Sequence, residues 1–510
     1  MYINLFRRKT AIRTGGRGVA AACAAIIAGT FAGAGISHAD SGMDRFYQQR
    51  LDWRACDDEA LDRAGARCAD VTVPLNYGEP QGPTITVAIS RVPAADPAHR
   101  RGVLLSNPGG PGGSGLDVTV RLGEKVLAPD VRDSYDLIGM DPRGIGRSTP
   151  VSCGWPIGSP LQSAGPDLLS FGESVATAAD LAARCLATQG DKVSYITTRN
   201  TARDMDVIRA ALGEERINYF GLSYGTYLGS VFTQMFPERV ERVVLDSAVD
   251  PERYHVAMIQ DMGAPNEAAF DAWAAWAADR DDQYHFGTTG SAVRATITEL
   301  IGRSARQPIR IGGDAVSVHV LPMLVFEGIV DAKMYPVLAD ELRQIADAAT
   351  GLPVQPGKEL KSALDEYFRP GPDAPESGPA QAMILCGDAP APRDPSWYWR
   401  NIEASRATEP MFGAFANNLT PCAFWLPPVE APTAVHNSVP ALILQATGDP
   451  RTAYQEGIGL HRAMTGSRLI TMPDVVTHGV SPKSSCARRI VDAYFRDGTL
   501  PADDLTCPAG

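Results

Sequence analysis

The residues with the clearest chemical potential are Gly221-Leu222-Ser223-Tyr224-Gly225, a serine between two glycines in the Gly-x-Ser-x-Gly pattern of a nucleophile elbow. A hydroxyl held out on a sharp strand-to-helix turn can attack an acyl carbon, and the glycines remove side chains that would clash in the turn. The following helix would bring backbone N–H groups and a positive dipole end to the developing oxyanion. Such chemistry also needs a base and an acid, and two later residues suit these roles. Asp449 ends an apolar run in Leu442-Ile443-Leu444-Gln445-Ala446-Thr447-Gly448-Asp449, and His478 stands in Val476-Thr477-His478-Gly479. An imidazole near neutral pKa can take the Ser223 proton and return it to the leaving group, while a buried carboxylate fixes its tautomer. A purely structural histidine is the alternative for His478, but the chain has only 8 histidines and this one falls in the slot the chemistry requires.

Asn107-Pro108-Gly109-Gly110-Pro111-Gly112-Gly113-Ser114-Gly115 ends an earlier apolar run. Backbone without side chains lets a carbonyl approach, so the N–H groups of Gly110 and Tyr224 are expected to form the oxyanion hole. The loop lacks Gly-x-Gly-x-x-Gly spacing and a Walker lysine, which argues against a phosphate site.

These groups need a scaffold. Residues 217–220 read as a buried strand entering the elbow, and residues 226–236 as a helix stopped by Pro237. Residues 69–77 and 84–92 alternate apolar and polar with period two around a Gly/Pro turn, as in a hairpin. Short apolar strands are expected at 102–106, 135–140, 242–245, 441–445 and 468–472, with a helix at 201–212 before the elbow. This alternation predicts an α/β fold with a mostly parallel sheet and crossover helices. From 251 to 440 the pattern turns helical, for example over 267–279, 292–303 and 337–349, with Pro/Gly-rich breaks. The expected organisation is therefore an export signal at 1–39, a first sheet portion at 40–250, a helical cap inserted at 251–440, and a second sheet portion at 441–510.

The 510 residues carry a net charge of −12, with no basic stripe outside the N-terminus, which excludes nucleic acid as a partner. At that terminus Arg7, Arg8, Lys9, Arg13 and Arg17 precede an apolar run over 19–36 and then Ser37-His38-Ala39. This describes an export signal cleaved after Ala39, with Arg7-Arg8 a faint twin-arginine feature. If the segment were retained it would be nearly long enough to anchor the chain in a membrane. Outside it lie Cys56, Cys68, Cys153, Cys185, Cys386, Cys422, Cys486 and Cys507, an even count that implies disulfides in an exported chain. They permit on the order of a hundred pairings, among which sequence does not choose. No C-x-x-C pair is present, so no metal and no other cofactor is expected.

The glycine loop of 107–115, the segment Gly139-Met140-Asp141-Pro142-Arg143-Gly144-Ile145-Gly146-Arg147-Ser148 and the elbow 221–226 closely resemble secreted tripeptidyl aminopeptidases. These are prolyl-aminopeptidase-like serine peptidases of the α/β-hydrolase fold. Ile384-Leu385-Cys386-Gly387-Asp388, Gly448-Asp449-Pro450-Arg451-Thr452 and Thr477-His478-Gly479 resemble the same family, so the likeness covers most of the chain beyond the signal. It implies an α/β-hydrolase sheet with a large, mainly helical cap inserted before the last core strands. It also implies sequential disulfides and a metal-free serine exopeptidase acting on peptide or protein N-termini. Two positions depart from the family: the loop after the acid, Asp449-Pro450-Arg451-Thr452-Ala453, and Ser247, where the family usually has glycine.

A free-amine substrate calls for carboxylates aimed at its ammonium. Asp261, Glu267, Glu327 and Asp388 are the candidates in the insertion, each with solvated surface as its alternative. Trp273, Trp276, Trp397, Trp399 and Trp425 are candidates for an apolar substrate pocket or for the core of the cap. Arg143 is expected to hold its loop by hydrogen bonds. The same triad serves any acyl transfer, so an esterase or lipase is the rival reading; a non-catalytic envelope protein is a second, opposed by the complete set of groups.

Overall fold

The structure is a computed structural model that describes residues 42–368 and 377–510; the expected export signal lies outside the described residues. The strands are β1 (Arg67–Pro74), β2 (Thr84–Val92), β3 (Val103–Asn107), β4 (Asp136–Met140), β5 (Ile217–Leu222), β6 (Val240–Asp246), β7 (Ala441–Ala446), β8 (Ser467–Met472) and β9 (Leu505–Thr506). They form one 9-stranded sheet in the order β1-β2-β4-β3-β5-β6-β7-β8-β9. The hairpin forms with Val71 opposite Val87, and β2 runs antiparallel to β4. All other neighbours are parallel.

Every residue of β3, β4 and β7 is buried, because helices cover both faces of the central sheet. Successive side chains point to opposite faces. Leu105, Ile138, Tyr219, Leu245 and Ile443 pack on one side against helices that carry Met205, Ile208, Leu228 and Val231. Leu104, Leu137, Phe220, Val244 and Leu444 pack on the other against Leu122, Val491 and Phe495. The helices of this core are α1 (Val118–Lys125), α2 (Leu168–Gln189), α3 (Thr198–Ala211), α4 (Tyr224–Met235) and the C-terminal helix Ser485–Asp497 that carries Val491 and Phe495. α4 starts one residue after Ser223, as the elbow requires.

Between β6 and β7 the chain is helical: α5 (Gly263–Ala278), α6 (Gly290–Arg306), α7 (Leu321–Gly328), α8 (Tyr335–Ala349) and α9 (Ser377–Asp388) carry most of it, with a small hairpin of Ile309–Ile311 and Asp314–Val316. This layer has its own core of Phe270, Trp273, Ile297, Leu324, Leu338 and Phe412. Trp276 packs against that core, while Trp397 and Trp399 pack around Tyr398 and Ile402. The helical layer also takes up a stretch that the sequence assigns to the first sheet portion. Ser163 N–H donates to the His319 carbonyl (3.1 Å) and Ala164 N–H to that of Ala414 (2.8 Å), and the long α2 follows directly.

The eight cysteines pair sequentially: Cys56–Cys68, Cys153–Cys185, Cys386–Cys422 and Cys486–Cys507. The closed loops span 12 to 36 residues, so each link staples a local excursion and none joins the sheet to the inserted helices. Among the described residues no helix is long and apolar enough to cross a membrane.

Candidate active site

Ser223 has φ 58° and ψ −128°, a left-handed conformation that costs a non-glycine residue about 1–3 kcal/mol. The elbow glycines are sterically required: a Cβ on Gly221 would lie 2.3 Å from the Gly225 carbonyl oxygen, and one on Gly225 2.7 Å from that of Asn107. The strain is held by the strand ends. Ser223 N–H donates to the Asp246 carbonyl (3.0 Å), at the tip of β6.

The histidine loop hangs from the same tip. The Asp246 carboxylate accepts the N–H of Val480 (2.7 Å) and of Ser481 (2.9 Å) and the Ser481 hydroxyl (2.5 Å). Ser247 Oγ accepts the Gly479 N–H (2.8 Å). Ser247 has φ 56°, the conformation that favours glycine, and its hydroxyl is put to use on the loop that carries His478. These two residues were not legible as site residues, since their function lies in carboxylate and hydroxyl contacts to a loop more than two hundred positions away.

His478 Nδ1 lies 2.9 Å from Asp449 Oδ2 and 3.0 Å from Oδ1. Asp449 Oδ1 also accepts the N–H of Arg451 (2.8 Å) and of Thr452 (3.0 Å), and Oδ2 accepts the Thr452 hydroxyl (3.1 Å). Burial works to raise the Asp449 pKa, but the neighbouring His478 charge and these hydrogen bonds outweigh it and hold the carboxyl below the ordinary aspartate value. An ionised carboxylate on Nδ1 leaves Nε2 as the nitrogen able to accept a proton. The loop after the acid is also pinned from the inserted helices, where the Arg451 guanidinium lies 3.3 Å over the Phe326 ring and donates to Asn266 Oδ1 (3.1 Å).

The glycine loop meets the elbow at Gly109. A Cβ there would sit 2.6 Å from the Leu222 carbonyl oxygen, 2.8 Å from Ser223 Cβ and 3.1 Å from the Tyr224 nitrogen. The Gly109 N–H is taken by Asn107 Oδ1 (3.0 Å), whereas among the described residues the N–H groups of Gly110 and Tyr224 have no acceptor. Asp141 holds the far end of the loop, accepting the Ser114 hydroxyl (2.6 Å) and the Gly115 N–H (2.8 Å). Gly109→Ala should therefore push the loop off the elbow and lower kcat about a hundredfold, the scale of a 1 Å misplacement, in a variant that still folds. Steady-state rates together with a circular-dichroism melt check this.

Two of the expected amine-binding carboxylates are committed elsewhere, which corrects those assignments. Glu267 is buried, and its Oε1 accepts the N–H groups of Met411 (2.6 Å) and Phe412 (2.9 Å) while Oε2 meets Arg294 (2.6 Å). Asp388 is buried behind the elbow helix and accepts the Thr198 N–H (2.7 Å), the Thr198 hydroxyl (2.5 Å) and the Tyr254 hydroxyl (3.0 Å). Thr198 Oγ1 lies 2.6 Å from the Tyr224 hydroxyl, so Asp388 braces the side chain of a proposed oxyanion donor instead of facing a ligand. Burial pushes its carboxyl up to about 7, against the pull of the Thr198 and Tyr254 hydrogen bonds. Asp261 pairs with Arg253. Glu327 differs: it is exposed at the end of α7 and reaches Arg451 only at 3.4 Å.

Residues 102–304 match the family model described as the alpha/beta hydrolase fold, and residues 409–507 match that of the TAP-like proteins. The tripeptidyl aminopeptidase of Streptomyces lividans is 33% identical over 90% of this chain and 86% of its own length. The serine protease Hip1 of Mycobacterium tuberculosis is 30% identical over 90% of this chain and 91% of its own. A carboxylesterase B of the same species is 31% identical over 89% of each. The sheet order, the inserted helices and these matches define an α/β hydrolase. Within that class the chain belongs to the tripeptidyl-aminopeptidase-like family, and it is a serine hydrolase.

Proposed function

We propose that this chain is an exported serine exopeptidase that releases short peptides, tripeptides in the first place, from free N-termini. Ser223 attacks the scissile carbonyl, and His478 takes its proton through Nε2 and passes it to the leaving amine. Asp449 orients the ring, and the Gly110 and Tyr224 N–H groups bind the oxyanion. The observation that carries this reading is that Asp246 and Ser247 fasten both the serine turn and the histidine loop to one strand end. The names of the Streptomyces and Hip1 relatives support peptide bonds as the target. Export is supported by the N-terminal charge and apolar pattern and by four disulfides, which persist in oxidising compartments. Glu327 is the carboxylate this reading keeps for the substrate ammonium.

An acyl esterase is the second reading, favoured by the carboxylesterase relative. Three chromogenic substrates separate the two: a free-amine Ala-Pro-Ala anilide, its N-acetylated form and a short-chain nitrophenyl ester, with Ser223→Ala as the blank. Turnover confined to the free amine is the expected result. Equal turnover of the acetylated peptide, or ester cleavage alone, would refute the exopeptidase.

A further inference from the structure

A cavity of about 310 Å3 opens beside His478. Val118, Leu122 and Val126 line it at a spacing of four, one apolar stripe down α1 and just past its end. Phe220 and Leu222, two apart on β5 and so on one face, form a second wall, and His478 with Pro482 forms the third. Arg121 and Lys125 also line it and are exposed, so it reaches solvent at their end. All its walls come from the sheet portions; no residue of the inserted helices borders it. Those helices lie instead against the acid loop, where Phe326 covers Arg451, and against the glycine loop, where a Cβ on Gly112 would lie 2.9 Å from the Ser377 carbonyl oxygen.

We infer that this cavity is the subsite for the first residue of the leaving peptide and that it takes a large apolar side chain; the inference rests on the exopeptidase reading above. The imidazole must deliver its proton to the leaving nitrogen, so the residue bearing that nitrogen lies against His478, and the ring is one wall of the cavity. The acyl oxygen points the other way, to the Tyr224 N–H. An enzyme that acts on free N-termini closes one end of its cleft around the amine, while the rest of a long substrate must run out to solvent. The helices cover the first end, and the gap between α1 and the histidine loop, with Arg121 and Lys125 at its edge, provides the second. The cavity is in the size range of small-ligand pockets, and apolar walls that face no protein atoms forgo contacts that a leucine or phenylalanine side chain would restore.

The test is cleavage of unblocked peptides Ala-Pro-Ala-X-Gly-Gly with X as Gly, Leu, Phe or Asp, followed by mass spectrometry. Leu and Phe should exceed Gly in kcat/KM by roughly tenfold to a hundredfold, the scale of one buried apolar side chain. Val118→Trp, which fills the cavity, should bring X = Leu and Phe down to the level of Gly. It should leave the ranking of acyl sequences unchanged in an anilide series with one fixed leaving group. Val126→Ser, at the half-buried edge, should lower the Leu and Phe rates several-fold, and it carries the test if Val118→Trp fails to fold. Cleavage with no preference at X, or a Val118→Trp variant that alters acyl ranking instead, overturns the subsite while leaving the exopeptidase intact. No cleavage of any unblocked peptide overturns both.

Discussion

Asp449→Asn should leave the protein folded and lower kcat by about 10⁴-fold, the size of effect expected when a triad histidine is held in the wrong tautomer. The hydrogen bonds fix which way the new amide would point. Asp449 Oδ1 accepts two backbone N–H groups, those of Arg451 and Thr452, and can be replaced only by the amide oxygen. The amide NH2 then falls at the Oδ2 position, 2.9 Å from His478 Nδ1. Nδ1 must become an acceptor, the ring proton moves to Nε2, and Nε2 can no longer take the Ser223 proton. Flipping the amide would set its NH2 against two N–H donors, which is worse. Steady-state rates on the free-amine anilide, with Tm as the folding control, measure this. A variant that keeps more than a tenth of the activity would remove Asp449 from the mechanism.

The second large effect concerns stability. Arg143 and Asp204 are both fully buried, joined by Nε to Oδ2 (2.7 Å) and Nη2 to Oδ1 (2.6 Å). The guanidinium also donates to the carbonyls of Leu75 (3.0 Å), Tyr195 (2.9 Å) and Pro74 (3.2 Å), so it ties the hairpin end to the lead-in of α3. Arg143→Met should cost about 3–5 kcal/mol, because it leaves the Asp204 carboxylate buried with, among the described residues, the Tyr77 hydroxyl as its one remaining hydrogen-bond donor, and strands the Leu75 and Pro74 carbonyls, while that of Tyr195 keeps the Asn200 amide (3.1 Å). Urea unfolding with disulfides intact reads the loss as a lower midpoint. The double variant Arg143→Met/Asp204→Leu should recover part of it, since removing both charges ends the desolvation penalty. An unchanged midpoint in the single variant would mean that water reaches Asp204.

The elements legible in the sequence are those encoded locally. The β1–β2 hairpin shows in its alternation, the buried strands in their short apolar runs, and the elbow in two glycines whose close contacts are with the next turn and the next strand. The pairing of Asp449 with His478 was readable because each ends a strand unit in the expected order. What escaped depends on partners distant in the chain. Glu267 and Asp388 have the composition of ligand carboxylates, and only the fold shows that Met411, Phe412, Arg294, Thr198 and Tyr254 already use them. The stretch just before α2 carries no mark that it belongs with the inserted helices, because that association rests on backbone bonds from Ser163 and Ala164 to His319 and Ala414. The cavity beside His478 was equally unreadable, since its stripe on α1 has the same pattern as a helix that packs completely.

The joint attachment of the serine turn and the histidine loop to Asp246 and Ser247 bears on how this site tolerates motion. If each loop were fixed to a different strand, every breathing displacement of the sheet would change the separation of nucleophile and base. Here two consecutive residues hold both, the serine turn by the Asp246 carbonyl and the histidine loop by the Asp246 carboxylate and the Ser247 hydroxyl, so a shift of the β6 tip moves both attachments together. The alignment of serine and histidine loops is thereby decoupled from the stiffness of the scaffold, whereas the acid loop, pinned through Arg451 to Phe326 and Asn266, stays coupled to the inserted helices.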